Sequence, residues 1–274
     1  MVSFPNCKIN LGLNIIGKRS DGYHDLETIF YPVHIRDAIE VIGKEDVQFS
    51  VSGLVIDDEH QNNICLKAYY LLKKDFPQLQ PVQMHLHKSI PMGAGLGGGS
   101  ADGAFTLQLL NKKFDLSLSE KQLAGYAVQL GSDCSFFILN KPCFGTGRGE
   151  LLEQIDIDLS NYKILIVHPG IHISTAWAFT QWAGRLQPPD NHKSIKEIIK
   201  QPVSIWRGEL INDFEEPVFS QYPEIKKIKA ELYNAGAIYS SMSGSGSTVY
   251  GIFEKEKALS FSFPGNYFVK ELFC

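Results

Sequence analysis

The sequence predicts an α+β protein of two domains, on three observations. Short apolar, β-branched runs alternate with turn residues. Stretches of helical period are interspersed among them rather than following each strand in strict order. The length, 274 residues, gives room for one large domain or two modest ones, either able to bury a real core. The pattern resets around "EQIDIDLSNY". This places the boundary near residue 155, between an N-terminal domain, 1–155, and a C-terminal domain, 156–274.

"CKINLGLNIIG" is rich in apolar and β-branched residues and predicts a strand, closed by a turn at Asp21-Gly22. "ETIFYPVHI", "DAIEVIG" and "DVQFSVSG" predict three more strands. In "NNICLKAYYLLKKDF", Ile64, Leu66, Ala68, Leu71 and Leu72 keep a helical period that stops before Pro77. Val82, Met84 and Leu86 alternate with polar neighbours, a strand with one buried face. After a glycine run, Ser100 is a candidate N-cap for a helix striped by Ala104, Leu107, Leu110 and Phe114. "SEKQLAGYAVQLG" predicts a helix stopped by Gly131. "DCSFFIL" reads as a strand, and "CFGTGRGELLEQI" as a glycine-rich hairpin. The second half reads as the strand "KILIVHPG", the helix "STAWAFTQWAG", the polar stretch "RLQPPDNHKS", further helices, and strand–turn–strand in "AIYSSMSGSGSTVYGIF".

The formal net charge is −4, so no global basic field is available to hold nucleic acid or an anionic membrane. An anionic substrate would need a local site. Five widely spaced cysteines without a C-x-x-C fit free thiols in a reducing compartment better than a disulfide frame or a zinc site. The first residues do not read as a signal peptide, and no apolar run reaches the roughly 18 residues of a membrane span. A cytoplasmic protein is expected.

"PMGAGLGGGSADGA", residues 91–104, holds six glycines in fourteen positions. Clustered glycines let backbone N–H groups converge on an anion, and a helix starting just behind adds its own N-terminal N–H groups and dipole. Strand, glycines and helix stand in that order, so the run reads as a phosphate cradle rather than a flexible connector. A P-loop would need a Lys after the glycines, and none follows. Gly93, Gly95 and Gly98 meet the dinucleotide pattern G-x-G-x-x-G literally, but the acidic residue at the required distance, Asp115, closes a helix instead of a strand. A protein kinase would need H-R-D and D-F-G, which are missing.

A fourth pattern fits. The run resembles the P-x-x-x-G-L-x-S-S-A phosphate loop of the GHMP small-molecule kinases, with Gly-Gly-Gly-Ser where many members have Gly-Ser-Ser. "CKINLGLNIIGKRSDGYHDLETIF", "LGSDCSFFI" (Cys-Ser where Val-Pro is usual) and "SMSGSGSTVYGIF" resemble three further blocks in the expected order. These blocks are similar to the branch of the family that acts on 4-diphosphocytidyl-2-C-methyl-D-erythritol in non-mevalonate isoprenoid synthesis. The resemblance implies a two-domain fold with the active-site cleft between the domains, ATP as phosphoryl donor, and Mg²⁺ bridging the ATP phosphates. Ser100 is the protein group placed to reach that ion, with no dedicated carboxylate ligand. The expected partner is a cytidine diphosphate derivative, and the expected state a monomer or homodimer.

The resemblance also implies roles for residues. The ATP loop comprises Pro91, Met92, Gly93, Ala94, Gly95, Leu96, Gly97, Gly98, Gly99, Ser100 and Ala101, with Asn63 and Asn111 at the adenine unless they are helix caps. Lys8 and Asp133 form the catalytic pair; on residue type alone, a strand lysine is a solvated face residue and Asp133 a cap or turn residue. Whether Asp133 accepts the proton or mainly positions the hydroxyl stays open, because a lysine that lowers its pKa also weakens it as a base. Tyr23 would stack on cytosine, His24 read its edge, and Phe179 form the opposite plate, against core packing for both aromatics. Asn10 would touch the methylerythritol end. Three alternatives remain: another small-alcohol kinase, a dinucleotide-dependent oxidoreductase, and a silent binding protein on the same scaffold.

Overall fold

The computed structural model describes residues 1–54, 63–182 and 193–274. In chain order its elements are β1 (Val2–Ser3), β2 (Asn6–Lys18), β3 (His24–Arg36), β4 (Ala38–Gly43), β5 (Gln48–Gly53), α1 (Ile64–Asp75), β6 (Val82–Lys88), α2 (Gly98–Lys113), α3 (Glu120–Leu130), α4 (Cys134–Leu139), β7 (Cys143–Thr146), β8 (Leu151–Gln154), β9 (Tyr162–His168), α5 (Thr175–Trp182), α6 (Ile195–Ile198), α7 (Val203–Glu209), α8 (Glu215–Gln221), α9 (Pro223–Asn234), β10 (Tyr239–Met242), β11 (Val249–Glu254) and β12 (Phe268–Phe273). Most of the polar stretch 185–194 lies outside the described residues.

The chain divides into two compact units, each built from separate segments. The first is Met1–Lys8, His34–Met92 and Gly97–Lys141; the second is Ile9–Val33, Gly93–Leu96 and Pro142–Cys274. In the first unit a four-stranded sheet runs β1-β4-β6-β5. β4 pairs with β6 antiparallel, and β5 with β6 parallel through the crossover helix α1. Val82, Met84 and Leu86 are buried, as their alternation predicts. Helix α2 packs on α1, α3 and α4, burying Ala101, Ala104, Leu107 and Leu110. A capping box at Ser119 and Gln122 starts α3.

Two local expectations fail here. "DCSFFIL" is the helix α4, not a strand. A short apolar run carries no period that separates strand from buried helix, and packing on α2 and α3 decides it. Helix α2 is capped by Gly97 in the left-handed region, which puts Ser100 inside the first turn rather than at the cap.

The second unit holds the sheet β10-β11-β9-β12. Leu165, Val167, Val249 and Phe253 from this sheet pack with Phe214, Val218, Ile225, Ile228 and Leu232 from α8, α9 and the turn before them, closing one core. The sheet β2-β3-β7-β8 contains the predicted glycine-rich hairpin as β7–β8.

Candidate active site

In the first unit, Lys8 sits near the start of β2 and is 3% exposed, so it is not a solvated face residue. Its Nζ lies 3.6 Å from Asp133 Oδ2, an ion pair too long to be a tight hydrogen bond. Burial lowers the Lys8 pKa, and Asp133 opposes the shift. Asp133 precedes α4, yet its carboxylate makes no cap hydrogen bond. That carboxylate is 32% exposed, so one end of the pair is open to solvent and the other is dry. A second contact fixes the same two elements. The Asn6 amide donates to Asn140 Oδ1 at 3.1 Å and accepts from Asn140 Nδ2 at 2.8 Å. Asn140 caps the far end of α4 in the left-handed region. The first residues of β2 are thus tied to α4 at both ends, which sets where Lys8 meets Asp133.

The glycine run lies between β6 and α2. Ala94 and Leu96 are buried and anchor the loop, while Gly93, Gly95 and Gly97 alternate with them in left-handed conformation. Left-handed glycines in such a run let backbone N–H groups turn toward an anion. At Gly97, φ is +69°, and a Cβ would lie 3.0 Å from Phe137 Cζ and 3.1 Å from Lys8 Cε. A Cβ on Gly99, by contrast, would meet nothing within 4 Å. The side of Gly99 is open, and the first N–H groups of the 16-residue helix have no partner within the helix. These donors fit a polyphosphate.

A buried charge cluster, unmarked by any local pattern, joins the strand before the loop to the helix after it. Lys88 Nζ bonds Asp37 Oδ2, and reaches Asp102 Oδ2 at 2.7 Å. Asp37 Oδ1 also accepts from Ile90 N at 2.9 Å. All three side chains are buried. Burial pushes the Asp102 carboxyl up to about 8. The cluster clamps the strand that enters the loop to the helix that leaves it. Cys134 is buried, and burial pushes its thiol up to about 12, so it packs here and is not a nucleophile. Asn63 caps α1, accepting from Cys65 N at 2.9 Å. Asn111 holds Leu118 through both ends of its amide, at 3.0 Å each. It stands about 20 Å along α2 from the glycines.

In the second unit, the chain's Gly/Ser turn closes on the middle of the glycine run. Ser243 Oγ donates to Gly95 O at 2.8 Å, and Thr248 N to Ala94 O at 3.2 Å. A Cβ on Gly95 would sit 2.0 Å from Ser243 O, so only glycine permits this approach. Asn10 is buried: its backbone N donates to Ser243 Oγ at 3.1 Å and its amide to Thr28 Oγ1 at 2.9 Å. Ser243 and Thr28 were missed by sequence reasoning. Ser243 lies inside the Gly/Ser-rich block "SMSGSGSTVYGIF", but nothing local marks a contact across 233 residues.

The aromatic residues are also in this unit. Tyr23 is 56% exposed, which rules out core packing, and the Arg148 guanidinium lies over its ring at 4.7 Å. His24 stacks on Phe179 with centroids 4.7 Å apart and planes 10° apart. Phe179 also turns an edge to the core residue Phe214. Buried His24 Nε2 has no hydrogen-bond partner. Burial lowers the His24 pKa, which favours the neutral imidazole, able to donate or accept. The structure brings His24 and Phe179 face to face.

Among the described residues, no group of three or more His, Cys, Asp or Glu side chains could hold a metal ion. No described helix is long and apolar enough to cross a membrane.

Two family models match the chain: GHMP kinases N terminal domain over residues 63–141, and GHMP kinases C terminal over residues 193–261. The chain belongs to the GHMP kinases. A 4-diphosphocytidyl-2-C-methyl-D-erythritol kinase of Bacteroides fragilis (strain YCH46) is 51% identical over 264 residues, covering 95% of this chain and 94% of that protein. One of Bacteroides thetaiotaomicron is 52% identical over 263 residues, covering 94% of each. The crystal structure of a 4-(cytidine 5'-diphospho)-2C-methyl-D-erythritol kinase matches with a TM-score of 0.77 at 29% identity, over 92% of this chain and 89% of the other. The Methanococcus jannaschii mevalonate kinase shares the fold, with a TM-score of 0.68 at 16% identity over 94% of this chain and 92% of that one. Membership in the GHMP kinases removes the oxidoreductase reading of Gly93, Gly95 and Gly98. Asp115, the acidic residue it required, follows α2 in a turn.

Proposed function

We propose that this GHMP kinase transfers the γ-phosphoryl group of ATP to the 2-hydroxyl of 4-diphosphocytidyl-2-C-methyl-D-erythritol, a step in non-mevalonate isoprenoid precursor synthesis. Relatives of that name, about half identical over nearly the whole chain, support the reading. Within the structure, the observation that carries the choice of acceptor is His24: a buried, unpartnered Nε2 on an imidazole already stacked against Phe179. An orphaned buried polar atom is costly unless a ligand completes it. The edge of a cytosine offers both a donor and an acceptor.

ATP supplies the phosphoryl group, with Mg²⁺ held by phosphate oxygens rather than by a protein cage. The N–H groups of Gly97–Ser100 and the nest of Gly93, Gly95 and Gly97 hold the phosphates, and Asn63, at the cap of α1, is assigned to the adenine; Asn111, with both ends of its amide on Leu118 and about 20 Å along α2 from the glycines, holds the turn after α2 instead. Asp133 orients the acceptor hydroxyl and takes its proton. Lys8 offers positive charge beside Asp133 in a dry setting, where it acts more strongly than in water. Positioning dominates, because the transition state of phosphoryl transfer is loose. Asn10, locked by Ser243 and Thr28, faces the methylerythritol end, and Tyr23 stacks on the base with Arg148 behind it. Purified protein given ATP and, in parallel, the cytidine acceptor, mevalonate, homoserine or galactose should consume ATP with the first. Turnover with one of the others alone would replace this acceptor.

A further inference from the structure

His172 lies in the second unit, exposed, just before α5. Its ring rests flush on the first glycine of the phosphate run. A Cβ on Gly93 would lie 2.4 Å from His172 Nδ1 and 2.7 Å from Cε1. The backbone on either side is pinned. Ile171 O accepts from Ser247 Oγ at 2.5 Å, and Thr175 Oγ1 bonds Ser245 Oγ at 2.9 Å. Buried Ile173 is anchored in the core beneath. The same Gly/Ser turn that grips this segment also grips Ala94 and Gly95. Seven residues on, α5 presents Phe179 to His24. One short segment therefore runs from the edge of the phosphate nest to the base-reading pair.

We propose that His172 is a specificity-determining residue that donates a hydrogen bond to a phosphate oxygen of the bound reactants. An imidazole has an N–H to donate in either neutral tautomer and two when protonated, and this one lies against the glycines proposed to collect the phosphates. The oxygen belongs to the acceptor's diphosphate or to the nucleotide. The placement of His172 on the segment that leads to His24 and Phe179 favours the diphosphate. The inference rests on the proposed acceptor and deepens it: His172 would separate diphosphate-bearing alcohols from bare ones.

The test is steady-state kinetics of the full chain and its His172→Ala and His172→Gln variants, with KM measured separately for ATP and for the cytidine acceptor, beside melting temperatures. Wild-type turnover of the cytidine acceptor comes first; its failure sinks the acceptor, not this role. Given that turnover, His172→Ala should raise one KM roughly tenfold, the scale of one charge-assisted hydrogen bond. His172→Gln, which keeps a donor, should recover part of it. Melting should not change, because the ring is exposed. A rise confined to the acceptor assigns the diphosphate; a rise confined to ATP would place the bond on the nucleotide and overturn the specificity role. Inhibition by added inorganic pyrophosphate should weaken in His172→Ala. Unchanged KM values, or both KM values shifted together with a lower melting temperature in Ala and Gln alike, would overturn the proposal.

Discussion

Gly99→Ala separates the needs of folding from the needs of binding. Gly99 lies in the first turn of α2, with no left-handed φ, and a Cβ there meets no atom within 4 Å. For folding, alanine is therefore an improvement. It removes backbone entropy from the unfolded chain and has the better helix propensity, worth about 0.5–1 kcal/mol. For a chain of this size that should raise the melting temperature by about 1–4 °C. For ATP the sign reverses. The new methyl enters the open side of Gly99, in the turn that carries the free N–H groups of α2, and should weaken ATP on the order of tenfold, about 1.4 kcal/mol. Gly97→Val is the counterpart. At φ +69°, with Phe137 and Lys8 at 3.0 and 3.1 Å from the new Cβ, both stability and ATP affinity should fall. Strain of a β-branched residue in that region costs roughly 1–3 kcal/mol before any crowding. The assay is ATP titration calorimetry beside thermal melting on the same preparations. If Gly99→Ala is stabilised and binds ATP as wild type does, the open space over α2 is not the phosphate site.

Tyr23→Ala should raise KM for the cytidine acceptor by about 5- to 150-fold, the value of one base–aromatic stack, and leave KM for ATP unchanged, with Tyr23→Phe near wild type. Its exposed ring predicts no loss of melting temperature; equal effects on the two KM values would remove the stacking role. Lys8→Met should cost catalysis yet not stability. Burial lowers the Lys8 pKa in the fold, so its charge is a penalty, full below the folded pKa and gone once pH exceeds the unfolded value. The variant should melt at or above wild type near neutral pH, with the gain shrinking at strongly alkaline pH. A clear drop in melting temperature at neutral pH would mean that the pair holds the fold together.

Much of this site was legible because it is written in consecutive residues. The glycine run, its strand before and helix after, and the turn in "SMSGSGSTVYGIF" announce themselves through local backbone demands. Lys8 and Asp133 were found through resemblance, since neither residue type alone distinguishes a dry ion pair from a surface lysine and a turn aspartate. What stayed hidden is long-range. Asn6 meets Asn140, Ser243 meets Asn10 and Gly95, and Lys88 gathers Asp37 and Asp102, and no pattern in the chain records any of these. The strand expected at α4 fails for a similar reason: a short run of five apolar residues and one serine has no period until neighbours impose one.

The most direct measurement is the turnover of Asp133→Asn with ATP and 4-diphosphocytidyl-2-C-methyl-D-erythritol, with ATP affinity taken on the same folded protein. Because Asp133 makes no cap hydrogen bond to α4, the substitution should leave the fold intact and ATP should bind as before. The kcat should fall on the order of 10²-fold or more, as for an acid–base residue at the reacting hydroxyl. A kcat near that of wild type would take Asp133, and the pair it forms with Lys8, out of the phosphoryl transfer.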